Sequence, residues 1–238
     1  MIESFLIFIE QYPFIIAFII GLLPALIWLW FWIKEDVHPE PPKMITLSFI
    51  GGMLAVLFVL PLEKLVFKYL QDNVGLSFIL WASLEEIFKF ASVYFIALKN
   101  KVTDEPADDI IYLIISALGF VTFENTLFLL EPINNGDIIG TIVSGNLRFI
   151  GASLLHIMSS ATIGIFMGLS FYKNSLQKIW HVVAGVILAI VLHTAFNLFI
   201  MNSDKGNIFF TFGAVWIGIV ALLLLFEKVK HVVPEKTN

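Results

Sequence analysis

The chain has 238 residues, 59% of them hydrophobic and 14% charged, with net charge −5 and no cysteine, and its mean hydropathy is +0.92. A soluble domain carries about 45–50% apolar and about 25% charged residues, so a soluble enzyme and a disordered protein are excluded, and the lack of a basic stripe argues against nucleic acid as a partner. Without cysteine there is no disulfide, no Cys-ligated zinc or iron–sulfur cluster and no thiol nucleophile. The composition fits an all-α fold, a polytopic transmembrane helical bundle forming one integral membrane domain over residues 1–238.

About 20 apolar residues cross a hydrocarbon core about 30 Å thick, and on that scale the chain divides into seven spans. At the N-terminus, Glu3 and Glu10 stand where a signal peptide would be cationic, so the first helix is expected to be kept. The first span covers 5–33 and contains Pro13 and Pro24. A kink is the simple expectation there; two short helices instead would make eight spans and reverse the topology downstream. A proline-stiffened acidic connector follows at 36–42, then span two at 44–61. Residues 61–75 are amphipathic and are expected to lie on the interface as a short helix.

Span three, 76–98, holds Glu85, Glu86 and Lys89. A second acidic connector at 103–109 precedes span four, 109–130, where carboxylates suit the helix N-terminal dipole; this span carries Phe120, Glu124 and Asn125. Span five, 146–172, has Arg148 and His156, span six, 179–201, has His193 and Asn197, and span seven covers 207–227. With the N-terminus outside, the cytoplasmic segments hold Lys34, Lys43, Lys99, Lys101, Lys173, Lys178, Lys228, Lys230 and Lys236, against Lys64, Lys68 and Lys205 outside. Nine against three predicts a multi-pass protein of the cell membrane with its C-terminus in the cytoplasm.

An ionisable group at mid-bilayer costs about 2.5–3.5 kcal/mol on insertion scales, so its presence suggests a function. Glu85, Glu124, His156 and His193 each lie roughly 10–15 Å below the same surface, counting about 1.5 Å per residue from the helix ends. Lys89 follows Glu86 by three residues and Glu85 by four, so it reaches either carboxylate. An ion pair neutralises one of the two and leaves the other needing a proton or a partner, which suits general acid–base work. His193 and Asn197 share a helix face. Arg148, nearer a helix end, has snorkelling as its simpler reading. Ser160, Gly164, Gly168, Gly185 and Ala189 read as packing positions that bring the helices close, and His38 and His181 lie outside the site.

Glu85-Glu86-x-x-Lys89, Phe120-x-x-x-Glu124-Asn125, His156 and His193-x-x-x-Asn197 resemble, in order and spacing, the PrsW intramembrane proteases, and the connector at Asp36 and Pro39–Pro41 is similar to theirs. Glu124, where the related CAAX-processing branch has His, and Lys89, one residue earlier than that branch's Arg, favour PrsW. The resemblance covers about 36–197, with the core of the site at 76–201. It implies an intramembrane endopeptidase acting in the lipid bilayer on a membrane protein, by analogy a single-span anti-sigma factor. Glu85 or Glu86 would be the base, with Lys89 keeping its partner ionised. Glu124, His156 and His193 would hold a divalent metal, expected to be zinc; alternatively His193 and Asn197 would stabilise the oxyanion without metal. Asn125 and Arg148 complete the candidate set. A His-Glu-x-x-His helix is absent from the sequence. The rival readings are a proton-coupled transporter, which a repeat in the two halves would favour, a non-catalytic scaffold of the same clan, and a membrane sensor or binding protein, for which the small loops leave little to sense with.

Overall fold

The computed structural model describes residues 11–201 and 208–234; Glu3, Glu10 and the outermost residues of the first and last expected spans lie outside the described residues. The helices are α1 (Pro13–Glu35), α2 (Pro42–Leu70), α3 (Val74–Val93), α4 (Asp108–Asn134), α5 (Ile138–Leu147), α6 (Ser153–Leu169), α7 (Ser175–Met201) and α8 (Ile208–Lys230). A π-turn at Tyr94–Leu98 lengthens α3, and a second at Arg148–Ala152 joins α5 to α6 in one rod. No strand occurs among the described residues.

Among the described residues, six rods are long and apolar enough to cross a membrane: Pro13–Glu35, Pro42–Leu70, Asp108–Asn134, Ile138–Leu169, Ser175–Met201 and Phe212–Lys230. The seventh expected span is α3 with its π-turn, set apart from the six by Glu85, Glu86 and Lys89 on one short stretch. From Pro13 to Glu35 the first span is one helix through Pro24, and it starts after a break at Tyr12; the expected stretch before residue 11 lies outside the described residues. Helix α2 also runs on through Pro61 to Leu70, where a separate interfacial helix was expected. Proline forfeits one main-chain bond, a loss tolerated in membrane helices. The Trp81 indole Nε1 donates to the Glu63 carbonyl at 3.1 Å and ties this extension to α3.

Local sequence explains the helix ends. Pro13 and Pro42 open α1 and α2, where a missing N–H costs nothing. Side chains of Asn73 and Asp137 cap α3 and α5 by accepting from Leu76 N at 3.1 Å and Gly140 N at 2.8 Å. After α4 the chain turns at Gly136, whose φ of 66° suits a residue without a Cβ.

Helix α4 and the α5–α6 rod form the interior, with 72% and 78% of their most apolar stretches buried, against 17–33% for the other membrane-length helices. The outer helices expose Leu, Ile and Phe, the surface that lipid requires. Helix α4 packs on α1, α2 and α6, α7 lies against α6 and α3, and α8 lies on α6. At the α2–α4 crossing the two backbones touch: a Cβ on Gly52 would strike the main chain of Ser116, and one on Gly119 that of Phe49.

The two acidic connectors meet at the start of α4. Tyr112 donates to Glu40 Oε2 at 2.5 Å, and His38 Nδ1 pairs with Glu105 Oε2 at 2.8 Å. Asp108 Oδ2 accepts from the main-chain N–H groups of Asp104 and Glu105 at 2.8 and 2.9 Å, and Asp36 Oδ1 accepts from His38 N at 3.1 Å. Burial pushes the Glu40 carboxyl up to about 8, with the Asp108 and Asp36 charges adding to it; burial likewise raises Asp36. These connectors fasten α1–α2 to α3–α4 at the end of α4 opposite to Glu124.

Candidate active site

Four helices converge on one charged cluster. From α3 come Glu85, Glu86 and Lys89, from α4 Glu124 and Asn125, from the π-turn and α6 Arg148 and His156, and from α7 His193. Glu86 and Lys89 are wholly buried, Glu85 is 5% exposed and both histidines are 2% exposed.

The two glutamates occupy different environments. Glu86 accepts from Lys89 Nζ at 2.5 Å, from Ser159 and Ser160 Oγ at 2.9 Å each, and from His193 Nδ1 at 2.7 Å. Glu85 Oε2 is buried without a hydrogen-bond partner. It lies 3.7 Å from His193 Nε2 and 3.8 Å from His156 Nδ1. Burial without a partner is costly for such an acceptor, so of the two glutamates Glu85, not Glu86, is the one left open to a ligand.

His156 is held on both sides: Lys89 Nζ donates to Nδ1 at 3.0 Å, which leaves Nε2–H to donate to Glu124 Oε2 at 3.0 Å. The same Glu124 oxygen accepts from Arg148 Nη2 at 2.8 Å, and Arg148 Nε donates to Asn125 Oδ1. The guanidinium carbon sits 3.9 Å from the Phe128 ring centroid. Arg148 therefore turns inward to two polar partners instead of snorkelling; the π-turn widens the helix at this point. The two imidazoles meet edge to face with centroids 5.1 Å apart, and Lys89 Nζ lies 5.0 Å from the Phe120 centroid.

A cavity of about 700 Å³ opens onto this cluster. Glu85, Glu124, Arg148, His156 and His193 form its polar wall; Leu60, Phe78, Trp81, Leu127 and Phe196 are among its apolar lining. Asn197, one turn beyond His193, lines the cavity and forms no hydrogen bond with the cluster. Two features escape the sequence reading. Glu63 on the α2 extension faces the cavity, hidden because residues past Pro61 read as interfacial. Ser159 and Ser160 bond to Glu86, whereas Ser160 alone drew notice, as a packing residue. His38 and His181 lie apart from the cluster, paired with Glu105 and the Gln177 carbonyl.

Glu85, His156 and His193 each offer one ligand atom, and the three atoms lie within 4.8 Å of one another. Two imidazoles and a carboxylate are a fitting donor set for a catalytic divalent metal, and the partnerless Glu85 oxygen supplies an open ligand atom. The expectation had grouped Glu124 with the histidines; the geometry gathers Glu85 there and leaves Glu124 bound to Arg148 and to the far side of His156.

A family model described as PrsW family intramembrane metalloprotease matches residues 40–226. Curated proteins named Protease PrsW are similar along most of their length. The one from Geobacillus kaustophilus is 27% identical over 216 residues, covering 87% of this chain and 86% of that protein. The one from Clostridioides difficile is 28% identical over 77% and 79%, and the one from Bacillus subtilis 24% identical over 80% and 84%. No solved structure matches the chain. With its matched region taking in α2 through most of α8 and every residue of the charged cluster, the chain belongs to the PrsW family of intramembrane metalloproteases.

Proposed function

We propose that Glu85, His156 and His193 are the reactive centre of this intramembrane endopeptidase and that the three hold zinc. The observation that carries the reading is the buried Glu85 oxygen without a partner, facing both imidazoles at the cavity wall. When bound, the metal would supply Lewis acidity toward the scissile carbonyl and a water acidic enough to attack at neutral pH. The protein's own groups do the rest. Glu86 fixes His193 through Nδ1 and so aims Nε2 at the centre, Lys89 offsets the Glu86 charge, and the Glu124–Arg148–Asn125 chain holds His156 through Nε2. Asn197 presents an amide to the cavity, where it can donate to the oxygen that becomes negative as the carbonyl turns tetrahedral. The apolar walls keep bulk water away and receive the substrate backbone.

A second reading has its own observation. Both ring nitrogens of His156 are already engaged, by Lys89 and Glu124, an arrangement that suits a metal-free mechanism. There Glu85 is the general base that takes a proton from water, and His193 with Asn197 receives the oxyanion.

The substrate we propose is a single-span membrane protein of the anti-sigma-factor kind, cut in regulated proteolysis. The enzyme would sit in the cell membrane with its N-terminus outside and C-terminus in the cytoplasm, following the lysine asymmetry.

The test is cleavage of a single-span reporter by purified protein in liposomes. Glu85→Gln, Glu86→Gln and His193→Ala should each abolish or sharply reduce turnover; wild-type rates in all three would remove the proposed centre. Stripping with phenanthroline should stop cleavage, and zinc should restore it. Activity that persists after verified metal removal selects the glutamate mechanism.

A further inference from the structure

His193 serves the reactive centre only if its ring is aimed correctly, and its Nδ1 contact with Glu86 at 2.7 Å sets that aim. The question then passes to what fixes Glu86. Its Oε1 takes Lys89, His193 and Ser159, but its Oε2 has a single partner, the Ser160 hydroxyl at 2.9 Å. Both serines are 0% exposed and adjacent on α6. Ser160 donates to one carboxylate oxygen and Ser159, whose hydroxyl lies closer to Glu86 than to its other acceptor, the His156 carbonyl at 3.3 Å, donates to the other, so the pair grips the group at both ends.

The terminal torsion of a glutamate is soft and roughly two-fold. Three donors crowded on one oxygen do not stop the carboxylate from turning about it. A second donor on the opposite oxygen does. In a buried site no water stands ready to replace a lost donor, so an unpaired Oε2 would seek one by rotation.

We propose that Ser159 and Ser160 are positioning residues of the peptidase: their hydroxyls clamp both oxygens of Glu86, and Glu86 thereby holds His193 in the tautomer with Nδ1–H toward it and Nε2 toward Glu85. The proposal rests on the reading that Glu85 and His193 form the reactive centre. It gives α6 a second role beside packing: the face that presents His156 to the centre also carries, within four residues, the groups that orient His193 on another helix. Carboxylates that orient a ligating imidazole in this way matter to metal sites at the level of about 10–100-fold in affinity or activity.

The experiment uses full-length protein carrying Ser159→Ala, Ser160→Ala or both, with three readouts: reporter cleavage with kcat and KM separated, zinc affinity by competition with a chromophoric chelator, and ¹⁵N chemical shifts of the His193 ring in labelled protein. The double variant should lose about 10–100-fold in kcat with KM within twofold, and zinc affinity should fall by a similar factor. The His193 signals should pass from one tautomer to a mixture, with Ser160→Ala, which frees Oε2, showing most of the effect and Ser159→Ala less. A double variant with wild-type kcat, zinc affinity and His193 shifts overturns the clamp. If the double variant does not fold, the singles decide, and an unchanged tautomer in both overturns it. Glu85→Gln is the control that separates the two ideas. An inactive Glu85→Gln beside unaltered serine variants sinks the clamp alone. A fully active Glu85→Gln sinks the reading of the centre, and the tautomer measurement then still decides the clamp.

Discussion

Helix α4 carries a group of buried acids at each end, about 18 Å apart from Tyr112 to Glu124 at 1.5 Å per residue. At its start, Glu40, Asp36 and Asp108 face Tyr112, His38 and main-chain N–H groups. Near its other end, Glu124 joins Glu85 and Glu86 among two histidines, a lysine and an arginine. The first group joins two connectors and its bonds are directed inward. The second opens on a cavity of about 700 Å³ and keeps one acceptor, Glu85 Oε2, without a partner. Burying carboxylates is therefore common to both regions and does not distinguish them. Asp109 at the start of α4 is also buried, with no side-chain hydrogen bond among the described residues, so what distinguishes the second region is that its carboxylate oxygen without a protein donor stands beside two imidazoles and beside room for a substrate.

The sharpest way to break that contrast is to make the same change at both ends. Glu85→Gln should lower turnover of the reporter by about 10³-fold or more, the scale of removing a group that acts on the reacting atoms. Glu40→Gln should leave kcat per folded molecule within about twofold. A large loss of kcat in Glu40→Gln, in protein shown to be folded, would mean that the connector acids take part in the reaction.

A smaller effect is expected from Tyr112→Phe, which removes the hydroxyl that donates to Glu40 at 2.5 Å. Loss of one buried partner costs about 1–3 kcal/mol. Unfolding in detergent should register a decrease of that order, with the kinetic constants of the folded enzyme unchanged. If stability does not move, the two connectors are held by something other than this bond.

The division between local and non-local information explains how much of this could be read in the chain. The helices and the charges on α3 were legible because their signals are short-range: apolar runs set the spans, and spacings of three and four put Lys89 beside both glutamates. Equal depth of Glu85, Glu124, His156 and His193 followed from counting along neighbouring rods. Partner choice was not legible. Ser159, Ser160 and His193 meet Glu86 across 73, 74 and 107 residues, and no periodicity announces which of two adjacent glutamates turns toward them. The same limit placed Glu124 in the expected ligand group, since depth alone cannot tell which carboxyl faces both rings. Proline at 61 ended the second span in the sequence reading, whereas the helix continues to Leu70 and brings Glu63 to the cavity. The inward turn of Arg148 depends on a π-turn, which leaves little trace in composition.

A further expected effect lies in the pH dependence of stability, and it belongs to the connector end. The folded protein holds the Glu40 carboxyl at about 8, from an ordinary value of 4.5, chiefly by burial. Between those values the native state keeps a proton that the unfolded chain has released. By linkage, the contribution is fully present below about 4.5 and is lost as pH rises through about 8. The groups facing Glu40 are Tyr112, Asp108 and Asp36, with His38 and Glu105 joined to them, so the whole set shapes the slope. Melting temperature in detergent should therefore fall as pH is raised from 6 to 9. Glu40→Gln, whose amide cannot titrate, should make that decline shallower, leaving the part that comes from Asp36, which is also raised by burial, and from the other buried carboxyls. An undiminished slope in Glu40→Gln would transfer the effect to other acids and remove Glu40 as its source. A change in the sign of the slope would be harder to accommodate, because at Glu40 desolvation favours the protonated carboxyl and the Asp108 and Asp36 charges act in the same direction.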